Sequence, residues 1–408
     1  MKIYLVGGAV RDQLLHRPVT EHDYVVVGAT PQAMLDQGFR QVGKDFPVFL
    51  HPKTQEEYAL ARTERKSGFG YHGFTVYASP DVTLEADLER RDLTINAMAQ
   101  DDSGQIIDPF HGQHDLHDRY LRHVSPAFSE DPVRILRLAR FAARYHELGF
   151  RVHPDTMQLM LAMVRDGEVH HLVAERVWQE MQKALQEPHP EIFFEVLRMC
   201  GACAVLFPEL DALYGVPNPP KWHPEIDSGV HTMMVLQCAV LLSADPKIRF
   251  AALAHDFGKA LTPMDIWPHH YGHDKKGVVP IETFCERLKI PVEYRDLAML
   301  ASRYHILIHQ CRELRPSTLL EILHGLDAIR RPDRFREVLL VCEADHQGRA
   351  GNESTQYPQS DYMTGAYDAC MKVDVAAIVS SVKGGEAIKK ALHDARVIAI
   401  QEWQMTGS

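Results

Sequence analysis

Short apolar runs separated by polar turns open the chain: Ile3-Tyr4-Leu5-Val6, Asp23-Tyr24-Val25-Val26-Val27, Pro47-Val48-Phe49-Leu50, Glu57-Tyr58-Ala59-Leu60 and Gln105-Ile106-Ile107-Asp108. Runs this short, rich in β-branched and aromatic residues and bounded by turn formers, predict strands with turns and helices between them. From Pro132 onward apolar residues recur at helical spacing almost without interruption, and no strand is predicted there. The expected fold class is therefore α+β: a small N-terminal α/β head followed by all-helical domains. The proline-rich stretch from Val216 to Glu225 marks a boundary inside the helical half, and the segment from Val382 to Trp403 predicts an amphipathic helix near the C-terminus.

A length of 408 residues fits two or three domains at roughly 150 residues each. The expected division is a head at 1–130, a helical neck and body at 131–225, a further helical domain at 226–330 and a helical C-terminal region at 331–408. Hydrophobic residues at 45% and charged residues at 24% argue against disorder and against a fibrous repeat. No apolar run approaches the ~18 residues of a membrane span, and the N-terminus turns polar too quickly for a signal peptide, so a cytoplasmic location with no membrane partner is expected. Seven cysteines, an odd number scattered along the chain, make no disulfide framework and suit a reducing compartment. Cys200 and Cys203 form a CxxC, but the apolar stretch around them reads as helix and no second pair follows.

The net charge of −11 excludes a protein that coats nucleic acid through many phosphate contacts, so a nucleic-acid substrate has to meet a local basic surface. Such a surface is readable in the segment Glu130 to Arg144. At about 100° per residue, Arg134, Arg137, Arg140 and Arg144 fall within a ~120° arc opposite Ile135, Leu136, Ala139, Ala142 and Ala143. Arginine without lysine favours recognition of oxygens over simple solubility. Asp131 lies three residues before Arg134, so that an acceptor and a donor are paired for the edge of a base, although Asp131 before Pro132 is also a good helix cap.

Three further features point to phosphoryl-type transfer. Gly7-Gly8 follows the first run and precedes Val10-Arg11-Asp12, a place where backbone N–H groups can approach a phosphate, although a tight turn needs glycine equally. Glu21 and Asp23 sit two apart at the start of the second run, where strand alternation puts both carboxylates on one face. Such a pair is stabilised by a cation, and Mg²⁺ is the hard ion that also binds nucleotide phosphates. Arg90-Arg91-Asp92 then leads a short apolar helix and offers guanidiniums for triphosphate oxygens and a carboxylate for a ribose hydroxyl.

Gly-Gly-Ala-Val-Arg-Asp at 7–12, the spaced carboxylates, the segment 61–68, Arg-Arg-Asp-Leu-Thr-Ile-Asn-Ala-Met at 90–98 and Glu-Asp-Pro-Val-Arg-Ile-Leu-Arg at 130–137 resemble, in order, the motifs of class II tRNA nucleotidyltransferases. That resemblance implies a polymerase-β-like head, then neck and body helices, and addition of CCA to the 3′ end of tRNA from CTP and ATP. It further implies that Gly8 and Arg11 contact the incoming CTP or ATP, that Arg91, Arg137 and Arg140 hold its phosphates or base, and that Asp92 touches the sugar. Asp131 and Arg134 would act as a protein template. The family's metal site is usually Asp-x-Asp, and Glu21 departs from it.

Histidine is abundant, with 24 residues, many of them between His223 and His309. His255-Asp256 lies in an apolar helix, where burying both is unfavourable unless a metal or partner satisfies them. His231 upstream and His273, His305 and Asp345 downstream complete an order that resembles the HD phosphohydrolase superfamily. Imidazole and carboxylate ligands select a transition metal such as Ni²⁺, Mn²⁺ or Co²⁺ more readily than Mg²⁺, with His231, His255, Asp256 and Asp345 as ligands and His273 and His305 as further candidates. Phosphatase and 2′,3′-cyclic phosphodiesterase activities are implied for that domain. The chain is expected to act as a monomer or weak homo-oligomer. The alternatives are a poly(A) polymerase of the same family and an HD-type hydrolase with a non-catalytic head.

Overall fold

The structure, a computed structural model, describes residues 1–42, 48–66, 74–221 and 223–406. Pro47 of the third predicted strand, Ser67 and Gly68 of the 61–68 segment, and Trp222 of the proline-rich stretch lie outside the described residues. The chain divides into two compact units, Met1–Leu206 and Phe207–Ser408.

The first unit is built on β1 (Lys2–Val6), β2 (Asp23–Val27), β3 (Arg40–Val42), β4 (Val48–Leu50), β5 (Glu57–Leu60), β6 (Arg62–Lys66), β7 (Phe74–Ala78), β8 (Ala99–Gln100) and β9 (Ile106–Ile107). Seven of these form one mixed sheet in the order β3-β4-β5-β2-β1-β8-β9, and β6 pairs with β7 in a separate ribbon. The β2–β5 pair is parallel and the other pairs of the main sheet are antiparallel.

The unbroken apolar run in β2 has a direct cause. Val25 belongs to one buried cluster with Val6, Leu88 and Ala99, while Val26 belongs to another with Met34, Phe49 and Leu60. A central strand covered on both faces carries no polar alternation. The run pattern did not single out β3, β6, β7 and β8: β3 and β6 are mostly polar and β8 has two residues, whereas Phe-Thr-Val-Tyr-Ala of β7 carries a strand-like alternation that was passed over.

The helices of this unit are α1 (Gly8–Leu14), α2 (Pro31–Asp36), α3 (Leu84–Glu89), α4 (Gly112–Asp118), α5 (Val133–Tyr145), α6 (Pro154–Arg165), α7 (Ala174–Ala184), α8 (Pro190–Met199) and α9 (Ala202–Leu206). α5 packs against α7 and α8. The expectation of helix throughout from Pro132 has one exception: β11 (Arg151–Val152) pairs in parallel with β10 (Tyr120–Leu121). Two residues are too few to register as a period.

The second unit comprises α10 (Pro208–Asp211), α11 (Ser228–Leu242), α12 (Pro246–Ala254), α13 (His273–Lys276), α14 (Val278–Leu288), α15 (Val292–His309), α16 (Pro316–Gly325), α17 (Pro332–Gln347), α18 (Pro358–Met371), α19 (Val375–Ser381) and α20 (Gly385–Met405). Asp227 caps α11 by accepting from Val230 N–H at 2.9 Å, and Asp245 caps α12 by accepting from Lys247 N–H at 2.8 Å. α11, α12, α15 and α17 pack on one another and surround the histidine-rich cluster described below. Among the described residues no helix is long and apolar enough to cross a membrane. All seven cysteines are free and buried.

Candidate active sites

A cleft of about 850 Å³ in the first unit is lined by Gly7, Gly8, Arg11, Glu21, Asp23, Arg91, Asp92, Asp131, Arg134, Arg137 and Arg140, together with several residues the sequence did not single out. Every candidate residue named for the head and neck therefore faces one space. Ten of the lining side chains are cationic (Arg11, Arg62, Arg90, Arg91, Arg134, Arg137, Arg140, Arg144, Arg176, Lys183) and five are acidic (Glu21, Asp23, Glu57, Asp92, Asp131). The local balance is thus +5 in a chain of net charge −11, which is the basic surface that a polyanionic substrate requires.

Asp23 is the first residue of β2, but Glu21 precedes the strand, so alternation along a strand does not set its direction as the spacing predicted. The two carboxylates nevertheless interact: burial and then the charge of Glu21 raise the Asp23 carboxyl above its ordinary range, against the pull of Arg91. A third carboxylate was missed. Glu57 of β5 is the register partner of Asp23 across the parallel pair, and it lines the same cleft. Such a pairing comes from sheet order, which no local pattern encodes. Solvent-facing, mutually repelling carboxylates at the edge of a basic cleft suit a divalent cation.

One relay ties the separate motifs together. Arg11, buried and lying over the rings of Phe141 and Tyr145, donates from Nη1 to Asn96 Oδ1 at 2.6 Å. Asn96 donates to Asp92 Oδ1 at 3.0 Å, and Arg137 of α5 closes on Asp92 Oδ2 at 2.9 Å. Burial alone would raise Asp92, but Arg137 and the Asn96 amide outweigh it and hold the carboxyl down at about 2. Asp87, fully buried, takes Arg90 at 3.0 Å and Arg91 at 3.3 Å. Arg91 Nε is buried with no hydrogen-bond partner among the described residues, an orphan donor of the kind a phosphate oxygen satisfies.

The arginine row on α5 is real, but it is not a bare face. Arg140 pairs with Glu180 at 2.7 Å, Arg144 with Glu187 at 2.7 Å, and Arg134 donates to the carbonyls of Ala127 and Arg90 at 2.8 and 2.6 Å. Asp131 accepts from Val133 N–H at 3.1 Å, so the capping role holds, and its carboxylate takes both terminal nitrogens of Arg176 at 3.2 and 2.9 Å. Asp131 thus has a side-chain partner in Arg176 that the sequence reading did not name. Arg176 comes from α7, forty-five positions away in sequence, and three-residue spacing could not reveal it.

Gly7 sits at φ +68°, and a Cβ there would lie 2.9 Å from Arg91 Nη1. We expect Gly7→Ala to lose about 1–3 kcal/mol of stability and to raise KM for CTP more than it lowers kcat, because Arg91 must move. Thermal melts with steady-state kinetics check this, and an unchanged KM would refute it.

In the second unit His231, His255, Asp256, His273, His305 and Asp345 converge. Nδ1 of His255, His273 and His305 lies 2.7, 2.6 and 2.7 Å from the carbonyls of Ala252, His270 and Ser302. A carbonyl only accepts, so each Nδ1 carries a proton and Nε2 is the nitrogen each of these rings directs at the cluster. Imidazole nitrogens there face carboxylates: His255 Nε2 lies 3.2 Å from Asp256 Oδ2, and His231 Nε2 lies 3.0 Å from Asp345 Oδ1. His255 Nε2 and Asp256 Oδ1 are buried and lack a hydrogen-bond partner. Imidazole nitrogens and carboxylate oxygens that converge in a buried space fit a metal cation. Burial lowers His255, but Asp256 and then Asp345 outweigh it and bring the imidazole up to about 10, the electrostatic signature of a pocket that attracts positive charge.

Four supporting residues were not singled out in the sequence. His309 donates from Nε2 to Asp345 Oδ2 at 2.6 Å and accepts at Nδ1 from Tyr357 Oη at 2.7 Å. Lys259 Nζ lies 2.6 Å from Asp256 Oδ2. Glu225 Oε1 stands 2.9 Å from His231 Nδ1, at ion-pair distance but off the line of a good hydrogen bond. The i+4 spacing of His305 and His309 and the i+3 spacing of Asp256 and Lys259 were legible signals; Glu225 in its proline-rich loop offered none.

Residues 3–122 match the poly A polymerase head domain, 149–214 the probable RNA- and SrmB-binding site of polymerase A, and 229–346 the HD domain. The chain is 61% identical over 402 residues to a multifunctional CCA protein of Thioalkalivibrio sulfidiphilus and 58% identical over 402 residues to one of Nitrosococcus oceani, in each case across 98% of both chains. Thermotoga maritima CCA-adding enzyme complexed with tRNA has a TM-score of 0.63 at 18% identity, over 100% of this chain and 92% of that one, which shows a shared fold. With that identity across nearly its whole length, the chain belongs to the bacterial multifunctional CCA protein family, tRNA nucleotidyltransferases that carry an HD domain.

Proposed function

We propose that the first unit adds C, C and A to the 3′ end of tRNA from CTP and ATP, and that the second hydrolyses phosphoesters, 2′,3′-cyclic phosphates among them, at damaged tRNA ends. The observation that carries the first half is the basic cleft with Glu21 and Asp23 in its lining. The tRNA 3′-hydroxyl oxygen bonds to the α-phosphorus as the bond to the β-phosphate oxygen breaks, and pyrophosphate leaves. Mg²⁺, when held by Asp23 and Glu21, supplies charge neutralisation on the triphosphate and a more acidic attacking hydroxyl. Gly8 and Arg11 border the phosphates, Arg91, Arg137 and Arg140 orient them, and Asp92 meets a sugar hydroxyl.

Asp131, held by Arg176, accepts from the exocyclic amine of cytosine or adenine, and Arg134 donates to ring acceptors beside it. Guanine offers a carbonyl and an N–H at those edges, which leaves buried partners unpaired and rejects GTP. The decisive test offers tRNA ending before CCA, with Mg²⁺ and CTP, ATP or both, and sizes the products. Addition of two C and one A is expected; long adenosine tails without cytidine would overturn the reading in favour of poly(A) synthesis.

The second half rests on the buried convergence of His231, His255, Asp256 and Asp345. These ligands suit Ni²⁺, Mn²⁺ or Co²⁺, which when bound supplies an activated water for phosphoester cleavage. His255, with its tautomer fixed by Ala252, presents Nε2 without rearrangement.

A further inference from the structure

We infer that Arg349 forms an anion subsite at the rim of the second unit's cluster and takes the phosphoryl group of the substrate there. The inference rests on the phosphohydrolase reading and names the residue that meets the substrate's charge. Arg349 stands just past the end of α17, four positions after Asp345, with its side chain 19% exposed. Its backbone is fixed on both sides. A Cβ on Gly348 would lie 2.6 Å from Val235 Cγ2 and 2.7 Å from the backbone of the same residue, so glycine is what lets the end of α17 rest on α11, one turn beyond His231. On the other side, Ala350 N–H donates to Glu225 Oε2 at 3.3 Å, and Oε1 of that carboxylate stands 2.9 Å from His231 Nδ1. Two anchored neighbours thus carry Arg349 to the cluster.

The guanidinium itself is barely used. Its N–H donors form a planar fork, yet Nε is buried and has no hydrogen-bond partner among the described residues. Nη2 makes one long contact, 3.5 Å to Asp345 Oδ2, an oxygen that His309 Nε2 already serves at 2.6 Å. Burial would raise the Asp345 carboxyl, and the charges of Arg349 and His309 hold it well below its ordinary range instead. A point charge such as a lysine would do that equally, so the counterion role leaves the fork unexplained. Nε and Nη2 share one edge of the guanidinium, the edge that pairs side-on with two oxygens of a phosphate. A buried donor without an acceptor is unfavourable, and a phosphoryl oxygen arriving at the cluster relieves it. The same edge then neutralises charge that builds on the phosphoryl oxygens as water attacks.

The test uses the full-length chain with Mn²⁺ and compares wild type with Arg349→Gln and Arg349→Lys. Inorganic phosphate is the probe, followed by calorimetric binding and by its competition with cyclic-phosphate hydrolysis. Bound metal from elemental analysis and the thermal melt are read on the same samples, and any phosphate or ion held by the first unit is common to all three. Arg349→Gln is expected to weaken phosphate at the second unit and to raise KM roughly tenfold to a hundredfold, with bound metal and melt unchanged. Arg349→Lys, which keeps the charge without the fork, is expected to recover only part of the loss. Unchanged phosphate affinity and KM in Arg349→Gln would overturn the subsite, and so would a loss that merely follows falling bound metal, which would make Arg349 a counterion of Asp345 alone. If Arg349→Gln weakens phosphate binding but wild type hydrolyses no phosphoester, the phosphohydrolase reading falls and the anion subsite stands.

Discussion

Asp23→Asn is expected to leave CTP bound within a few-fold of wild type while lowering CMP incorporation by roughly a thousandfold or more. The cleft retains all ten of its lining cations in this variant, so ground-state attraction for the triphosphate persists. The lost group is the carboxylate at the start of β2, placed by strand pairing between Val6 of β1 and Glu57 of β5 and raised in pKa by burial and Glu21. An amide there is neutral and weakens the hold on a divalent ion, and metal stabilisation of transferring phosphoryl charge is worth several kcal/mol, with each ~1.4 kcal/mol a factor of ten. Glu21→Gln should fall less far, because Glu21 lies outside the strand and its position is less constrained. Single-turnover incorporation of labelled CMP, paired with equilibrium binding of CTP, checks both; incorporation within tenfold of wild type would remove Asp23 from the role.

The second large effect is in the other unit. Replacing His255 and Asp256 together by Ala is expected to abolish hydrolysis of 2′,3′-cyclic phosphate while CCA addition stays within about twofold. His255 Nε2 and Asp256 Oδ1 are two of the buried cluster atoms without a hydrogen-bond partner, so their removal takes away two adjacent ligands that His231, Asp345, His273 and His305 cannot replace. The change also strands Lys259, buried against Asp256 Oδ2, and a buried charge deprived of its partner destabilises by roughly 3–5 kcal/mol. Asp256→Asn keeps a polar partner for Lys259, so a hydrolysis defect in a variant with a normal thermal melt separates lost chemistry from lost fold. Intact hydrolysis in the Ala pair would sink the assignment.

The head was legible where a strand is central and its apolar run continuous: β1 and β2 begin and end within a residue of the runs that predicted them. Polar β3 and the two-residue β8 depend on neighbours in the sheet and carry little signal of their own, whereas β9 falls on the predicted run at Ile106-Ile107. The residues named from motifs all face the cleft, because each motif places a chemically distinct side chain next to a turn or helix start. What stayed hidden was partnership across distance. Glu57 beside Asp23, Arg176 on Asp131, and Glu180 and Glu187 on the arginine row all meet through tertiary packing. The same holds for Glu225 in the second unit, which comes to His231 from a loop. Asp87 under Arg90 and Arg91, by contrast, stands at i+3 and i+4 spacing that the sequence does carry.

The acids that already accompany Arg137, Arg140 and Arg144 bear on how this cleft meets salt. A bare guanidinium row would gather mobile anions from solution and release them when a polyphosphate arrives, and the gain in ion entropy would make binding fall steeply with ionic strength. Here Asp92, Glu180 and Glu187 are built-in counterions that stay with the protein. Fewer mobile ions are then displaced than ten cations would suggest, and nucleotide capture is buffered against the ionic strength of its surroundings.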